Sequence, residues 1–451
     1  MFSVTLYDFA VLPFYLVVIL YFARKEVAKR NSPEYKYYIP GLLAKILGGI
    51  AVSLIYEYYY GGGDTINYFH SAVATLNVAT ENFDGFLQIL GGKLDWETWS
   101  FYSNSTGYPL YFSDENAFAV VRFSTLFVFL GGKLFLPSTA LVAWFSYTGL
   151  WRLYLSFSDQ FPKQKNVLAY TVLFIPSVIF WGSGILKDSF CLTAASWMIY
   201  SIYRLFKTNV FSLKYYVLFG VFSAMTIAMK PYIFLSVTTG IFVWIAFEWI
   251  NRVKSTFMKM VAFPFFFLVV IGTGVYLTST MGEFIGGHYR NLDAMLERAV
   301  VVQSDLTREY YGGNSFNIGS FDASVSGILG KMPVAITAGL YRPFIWEANN
   351  ILMLFSGLEN FVLLILTVYT FFRVGFVFFL TRIVDRPFLV VFSFTFSLIF
   401  AFAVGLTTAN FGALVRYKIP LIPFFTSGLV VVLGLHKERR EKREKELLKA
   451  F

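Results

Sequence analysis

A single cysteine, Cys191, excludes an intrachain disulfide, and its place inside an apolar run is that of a small hydrophobe. Only three histidines are present, His70, His288 and His436, none with a Cys or His partner at ligand spacing, so no zinc site is expected. Charge is scarce too: 14% of residues are Asp, Glu, Lys or Arg, against about a quarter in ordinary globular chains. The phosphate-loop pattern G-x-x-x-x-G-K-[ST] is missing, although GSGILKDS at 182–189 has a superficial likeness to it. The ten-residue alternation of an outer-membrane barrel is absent, as are internal repeats and, outside the charged tail, low-complexity stretches.

What the chain has instead is apolar length. Its 451 residues are 57% hydrophobic and 20% aromatic, with 53 phenylalanines, which no soluble core requires. Apolar segments of spanning length lie at 6–23, 39–59, 138–157, 167–184, 187–206, 213–229, 232–250, 260–279, 351–372, 388–407 and 417–435. They predict an all-α, polytopic transmembrane bundle of about 11 spans. No basic region precedes the first run, so it is expected to stay as a signal-anchor helix rather than be cleaved.

The net charge of +10 suggests nucleic acid until the cations are mapped. They gather at 24–36, 163–165, 204–214, 252–259 and 373–386 and in the tail, the pattern of topology determinants, so no nucleic-acid partner is expected. These loops predict an N-terminus outside, a cytoplasmic C-terminus and an odd number of crossings, 11 to 13. The segment 117–134 contains Arg122 and ends in Gly131-Gly132-Lys133; counting it would break that parity, so it is expected to be re-entrant or surface-lying. The expected organisation is one integral membrane domain, 1–436, with long outer loops at about 61–116 and 280–350, and a charged tail at 437–451.

Ionisable residues inside or at the rim of apolar runs are the informative ones, because each costs about 2.5–3.5 kcal/mol at a helix centre. Asp64, Lys187, Asp188, Lys230, Arg342, Glu347 and Arg416 all fall at outer helix ends or in outer loops on the loop-derived topology, with Lys418 just beyond Arg416. Cations on that side run against the positive-inside bias, and a phosphate or pyrophosphate at the outer leaflet would account for them. Each has a plainer reading. Asp64 also suits a helix start, Lys187-Asp188 a hairpin turn, Lys230-Pro231 a helix junction, and Arg342 with Glu347 a local ion pair.

The motifs GGGDTINYF (61–69), PSVIFWGSGILKDSF (176–190), YRPFIWEANN (341–350) and NFGALVRYKIPLIPF (410–424) resemble multi-span, polymerase-like proteins of bacterial exopolysaccharide gene clusters. The first, following a helix pair, is similar to membrane glycosyltransferases of the GT-C class, whose first outer loop begins with an acidic base. That resemblance implies Asp64 as the base, a polyprenyl-(pyro)phosphate-linked sugar as donor, no cofactor, and an inner-membrane location beside other polysaccharide-assembly proteins. The outer cations, with Asp188 and Glu347 orienting them, would hold the lipid phosphate, and Tyr58, Tyr59, Tyr68, Trp96 and Trp99 are candidates for stacking on sugar rings. Two other readings stay open. A transporter or flippase for a lipid-linked glycan would spread charge at mid-depth through repeated halves; a scaffold of an envelope-assembly machine would leave its outer cations individually replaceable.

Overall fold

The computed structural model describes residues 3–30, 32–206, 208, 212–252, 297, 300–301, 315–375, 379 and 388–450. The expected span at 260–279 and the part of the second long loop before residue 315, apart from 297, 300 and 301, lie outside them. The helices are α1 (Leu6–Ala28), α2 (Tyr38–Tyr58), α3 (Asp64–Glu81), α4 (Phe83–Gly91), α5 (Trp96–Trp99), α6 (Glu115–Leu130) and α7 (Phe135–Gln160). Then come α8 (Lys165–Leu173), α9 (Pro176–Trp181), α10 (Lys187–Phe206), α11 (Leu213–Met229) and α12 (Pro231–Arg252). The last six are α13 (Val325–Gly330), α14 (Met332–Tyr341), α15 (Ile351–Val374), α16 (Phe388–Thr407), α17 (Phe411–Tyr417) and α18 (Ile422–Ala450).

Among the described residues the protein is all-helical, and five helices are long and apolar enough to cross a membrane, or seven if two bent pairs each count as one span. About eleven spans is therefore not confirmed among the described residues, and several expected segments take other forms. The run at 167–184 breaks at Pro176 into helices of 9 and 6 residues, about 14 Å and 9 Å long at 1.5 Å per residue. α10 has the expected bounds but too polar a composition, and α11, also as expected, stops at 17 residues. α17 and α18 meet at 63°, around Pro420. α6 turns by 113° into α7 at the glycine pair that closes 117–134.

The chain divides into two compact units, residues 1–156 with 172–231, and residues 157–171 with 232–451. In the first, the start of α1, the end of α2, the start of α3 and the start of α7 are tied together. Ser3 N donates to Glu57 Oε1 (2.6 Å), Ser3 Oγ bonds His70 Nε2 (2.9 Å), and Leu136 N donates to Asp8 Oδ1 (2.8 Å). Asp8 also closes a capping box with Thr5. α2 presents Gly41, Lys45, Gly48 and Gly49 on one face. The side chains missing at Gly48 and Gly49 let the backbone of Ile179 and Ser183 approach. Lys45, fully buried, donates to the carbonyls of Val178 (3.2 Å) and Gly182, and Ser146 Oγ also donates to Gly182 (2.8 Å). These bonds satisfy carbonyls that the short helix α9 leaves without intrahelical partners, the condition for irregular backbone at membrane depth.

The second unit is built on α16, whose Phe388, Phe392, Phe396 and Phe400 recur at every fourth residue and form a buried ladder, with Phe424 of α18 packed edge-on against Phe392 and Phe396. On another face of α16, Gly405 meets the backbone of Ala335 in α14, and Gly339 of α14 meets that of Ala401. Leucine at 405 would be driven into the Ala335 carbonyl, so Gly405→Leu is expected to destabilise the protein by about 1–3 kcal/mol. Thermal unfolding in detergent checks this against Gly220→Leu, where a side chain enters open space and no such loss is expected.

Candidate functional site

The eight residues singled out from the sequence divide between the units: Asp64, Lys187, Asp188 and Lys230 in the first, Arg342, Glu347, Arg416 and Lys418 in the second.

In the first unit, α2 passes into α3 through Gly61, Gly62 and Gly63, all at positive φ (67°, 147° and 120°). Gly63 has ψ −169°, in a region essentially reserved for glycine, and a Cβ there would lie 2.7 Å from Cε1 of Tyr56. The triple glycine is thus the turn that delivers Asp64 to the first position of α3, where the helix dipole favours a carboxylate. Gly63→Ala is expected to cost about 1–3 kcal/mol, read as a lower unfolding temperature. Asp64 Oδ1 accepts from the Tyr111 hydroxyl (2.8 Å), which in turn accepts from Asn67 Nδ2 (3.2 Å), and the Tyr68 and Tyr111 rings stand 5.1 Å apart.

Lys187 opens α10, half-buried, with both Asp114 and Asp64 acting on its ammonium as opposite charges. Among the described residues it makes no hydrogen bond or direct ion pair. Its neighbour Asp188 has a different role. Fully buried, it receives Lys230 Nζ at 2.6 Å, with side-chain exposures of 0% and 5%. Lys230 ends α11, so this pair ties the start of α10 to the end of α11, while Asn116 at the start of α6 donates to Ala228 O (2.9 Å). Asp64, Asp114 and Lys230 thus all act electrostatically on Lys187, beside the directly paired Asp188 and Lys230, at the starts of α3, α6 and α10.

In the second unit, Arg342 Nε pairs with Glu347 Oε1 (3.3 Å), and Glu347 Oε2 accepts from Phe344 N (2.8 Å). The guanidinium lies 5.0 Å from the Phe316 ring centre and 5.9 Å from that of Phe344, so the local ion pair envisaged from the sequence is formed and stacked. Lys418 is buried and donates to Leu340 O (3.5 Å), Arg342 O (3.0 Å) and Asn360 Oδ1, and Asn360 Nδ2 donates to Pro343 O (2.9 Å). Two of its bonds thus hold the 340–342 backbone directly and the third reaches Pro343 through Asn360, a fastening role where the sequence suggested substrate contact. Arg416 sits half-buried in the last turn of α17, which Asn410 caps.

Lys45, inside the apolar run GLLAKILGG, is not among the candidates the sequence offers, since the carbonyls it satisfies lie more than 130 residues along the chain. Nor are Tyr111 and Asp114, whose relevance comes only from contacts with α3 and α10. Among the described residues, no group of three His, Cys, Asp or Glu is placed to hold a metal ion. No known protein family matches this chain, and no curated protein or solved structure does.

Proposed function

We propose that this chain is a membrane glycosyltransferase or polysaccharide polymerase that takes a sugar or oligosaccharide from a polyprenyl-phosphate or pyrophosphate carrier at the outer face. The observation that carries the reading is a carboxylate, Asp64, delivered by the triple-glycine turn to the first position of α3 and held by the Tyr111 hydroxyl, together with a half-buried lysine, Lys187, that feels its charge and has no direct partner among the described residues. In this reaction Asp64 takes the proton of the acceptor hydroxyl as its oxygen bonds the anomeric carbon. The bond from that carbon to the carrier phosphate breaks, and the departing phosphate keeps the electron pair. Lys187 stabilises the charge that develops there. The Asp188–Lys230 pair fixes the turn from which Lys187 projects.

The proposal includes the topology that the basic loops imply: N-terminus outside, C-terminus cytoplasmic, an odd number of crossings near 11, and a bacterial inner-membrane location. Arg342 and Arg416 keep their sequence-based roles as phosphate-binding candidates of the second unit, with Glu347 orienting the cations. The test is extraction of lipid-linked and polymeric glycans from cells carrying wild type, Asp64→Asn, Lys187→Gln or Arg416→Ala at matched membrane levels. Accumulation of a lipid-linked precursor with loss of polymer in the Asp64 and Lys187 variants is expected. Unchanged glycans in both would return Asp64 to a helix-start role and favour the scaffold reading.

A further inference from the structure

The segment 94–115, between α4 and α6, encloses a cleft of about 880 Å³ whose lining includes Asp95, Trp96, Trp99, Tyr111, Asp114 and Glu115. Trp96 is 84% exposed, an unusual position for the largest apolar side chain, and it stands on a short helix braced by a capping box between Asp95 and Thr98. Trp99 is fixed by ring contacts with Phe112 (5.0 Å), Tyr108 (5.8 Å) and Tyr102 (5.9 Å). The wall beside them is held at a cost. Tyr111 has φ 66°, the left-handed region that a bulky residue rarely enters, while its hydroxyl donates to Asp64.

The electrostatics narrow the ligand. The lining contains three carboxylates and no lysine or arginine, which disfavours an anionic ligand. Two of those carboxylates have a cation near them, Asp95 with Lys93 at 3.7 Å and Asp114 with Lys187, on which it acts as an opposite charge, and this weakens the pull on a cationic one. Hydrogen bonds from the Thr98 backbone and side chain, with Lys93 nearby, hold the Asp95 carboxyl below its ordinary range, so it is an acceptor only at neutral pH. A flat exposed indole next to acceptor-only oxygens suits a molecule with an apolar face and a rim of hydroxyl donors.

We propose that this cleft binds an uncharged oligosaccharide, with Trp96 stacked on one sugar ring and the carboxylates accepting hydrogen bonds from its hydroxyls. Binding here does not depend on the transferase reading. That the bound glycan is the acceptor, with Tyr111 carrying its end to Asp64, does rest on it.

The test is retention of the full-length protein, purified in lipid nanodiscs, on an array of uncharged, amine-bearing and uronate- or phosphate-bearing microbial oligosaccharides. Retention on uncharged glycans is expected, weakened roughly tenfold or more by Trp96→Ala. Because Trp96 is so exposed, that variant is expected to unfold at the wild-type temperature, which a melting curve verifies. Retention confined to charged glycans, no retention at all, or retention unchanged in Trp96→Ala overturns the proposal. The two proposals fail separately: retention with an unchanged glycan profile in Asp64→Asn would leave a saccharide-binding cleft without transfer chemistry.

Discussion

Replacing Lys230 with methionine is expected to destabilise the protein by about 3–5 kcal/mol, because it removes a directly paired counter-charge, at 2.6 Å, from a carboxylate with no exposure to solvent. Asp188→Leu removes the other half and leaves the ammonium buried among α10 and α11, with a loss of the same order. The magnitude comes from desolvation, since a buried ion that loses a direct ion pair does not recover its hydration. A double replacement, Lys230→Met with Asp188→Leu, is expected to restore most of the loss, since a buried ion pair is often worth no more than well-packed apolar residues of similar volume. Unfolding temperatures of the two single variants and the double variant in detergent measure this coupling. Additive losses would show that the two side chains do not interact.

Asp64→Asn is expected to lower transfer by about 10²–10⁴-fold, the usual contribution of a positioned general base. The amide keeps nearly the same shape, its oxygen can still accept from the Tyr111 hydroxyl, and asparagine is tolerated at a helix start, so stability should change little. Tyr111→Phe separates positioning from proton transfer: it removes the hydroxyl that aims Asp64 but leaves the base, so a smaller loss is expected than for Asp64→Asn. Lys187→Gln acts on the leaving group instead and is expected to cost about 10²–10³-fold, in the range of a lost transition-state donor. Loss of fold rather than rate in Asp64→Asn would mean that the carboxylate serves the helix start.

Apolar length and period made the helices legible. α11 and α16 begin and end where the sequence placed them, at 213–229 and 388–407, because lipid-length runs bounded by polar residues leave little choice of register. The break at Pro176 was written in the sequence but outweighed there by hydropathy summed across it, although a proline lacks the donor that would continue the helix. Asp64 was legible because a charge follows three glycines at the end of a membrane-length run. Its setting was not. Tyr111 lies 47 residues along the chain from Asp64, Lys230 lies 42 from Asp188, and Asn360 lies 58 from Lys418. Pairings at such separations follow from helix packing, which a single sequence does not encode locally. Lys45 is the instructive miss. A buried lysine with carbonyl partners looks, in sequence, like one of the snorkelling lysines at the ends of spans, and only the interrupted helix opposite reveals what it satisfies.

The most direct test of the transfer chemistry is to incubate the purified protein in nanodiscs with lipid-linked precursor isolated from cells carrying Asp64→Asn, without nucleotide. Release of the lipid phosphate together with a lengthened glycan is expected for the wild type and not for Asp64→Asn or Lys187→Gln. Intact precursor after incubation with well-folded wild type, or equal turnover by the Asp64 variant, would contradict the account.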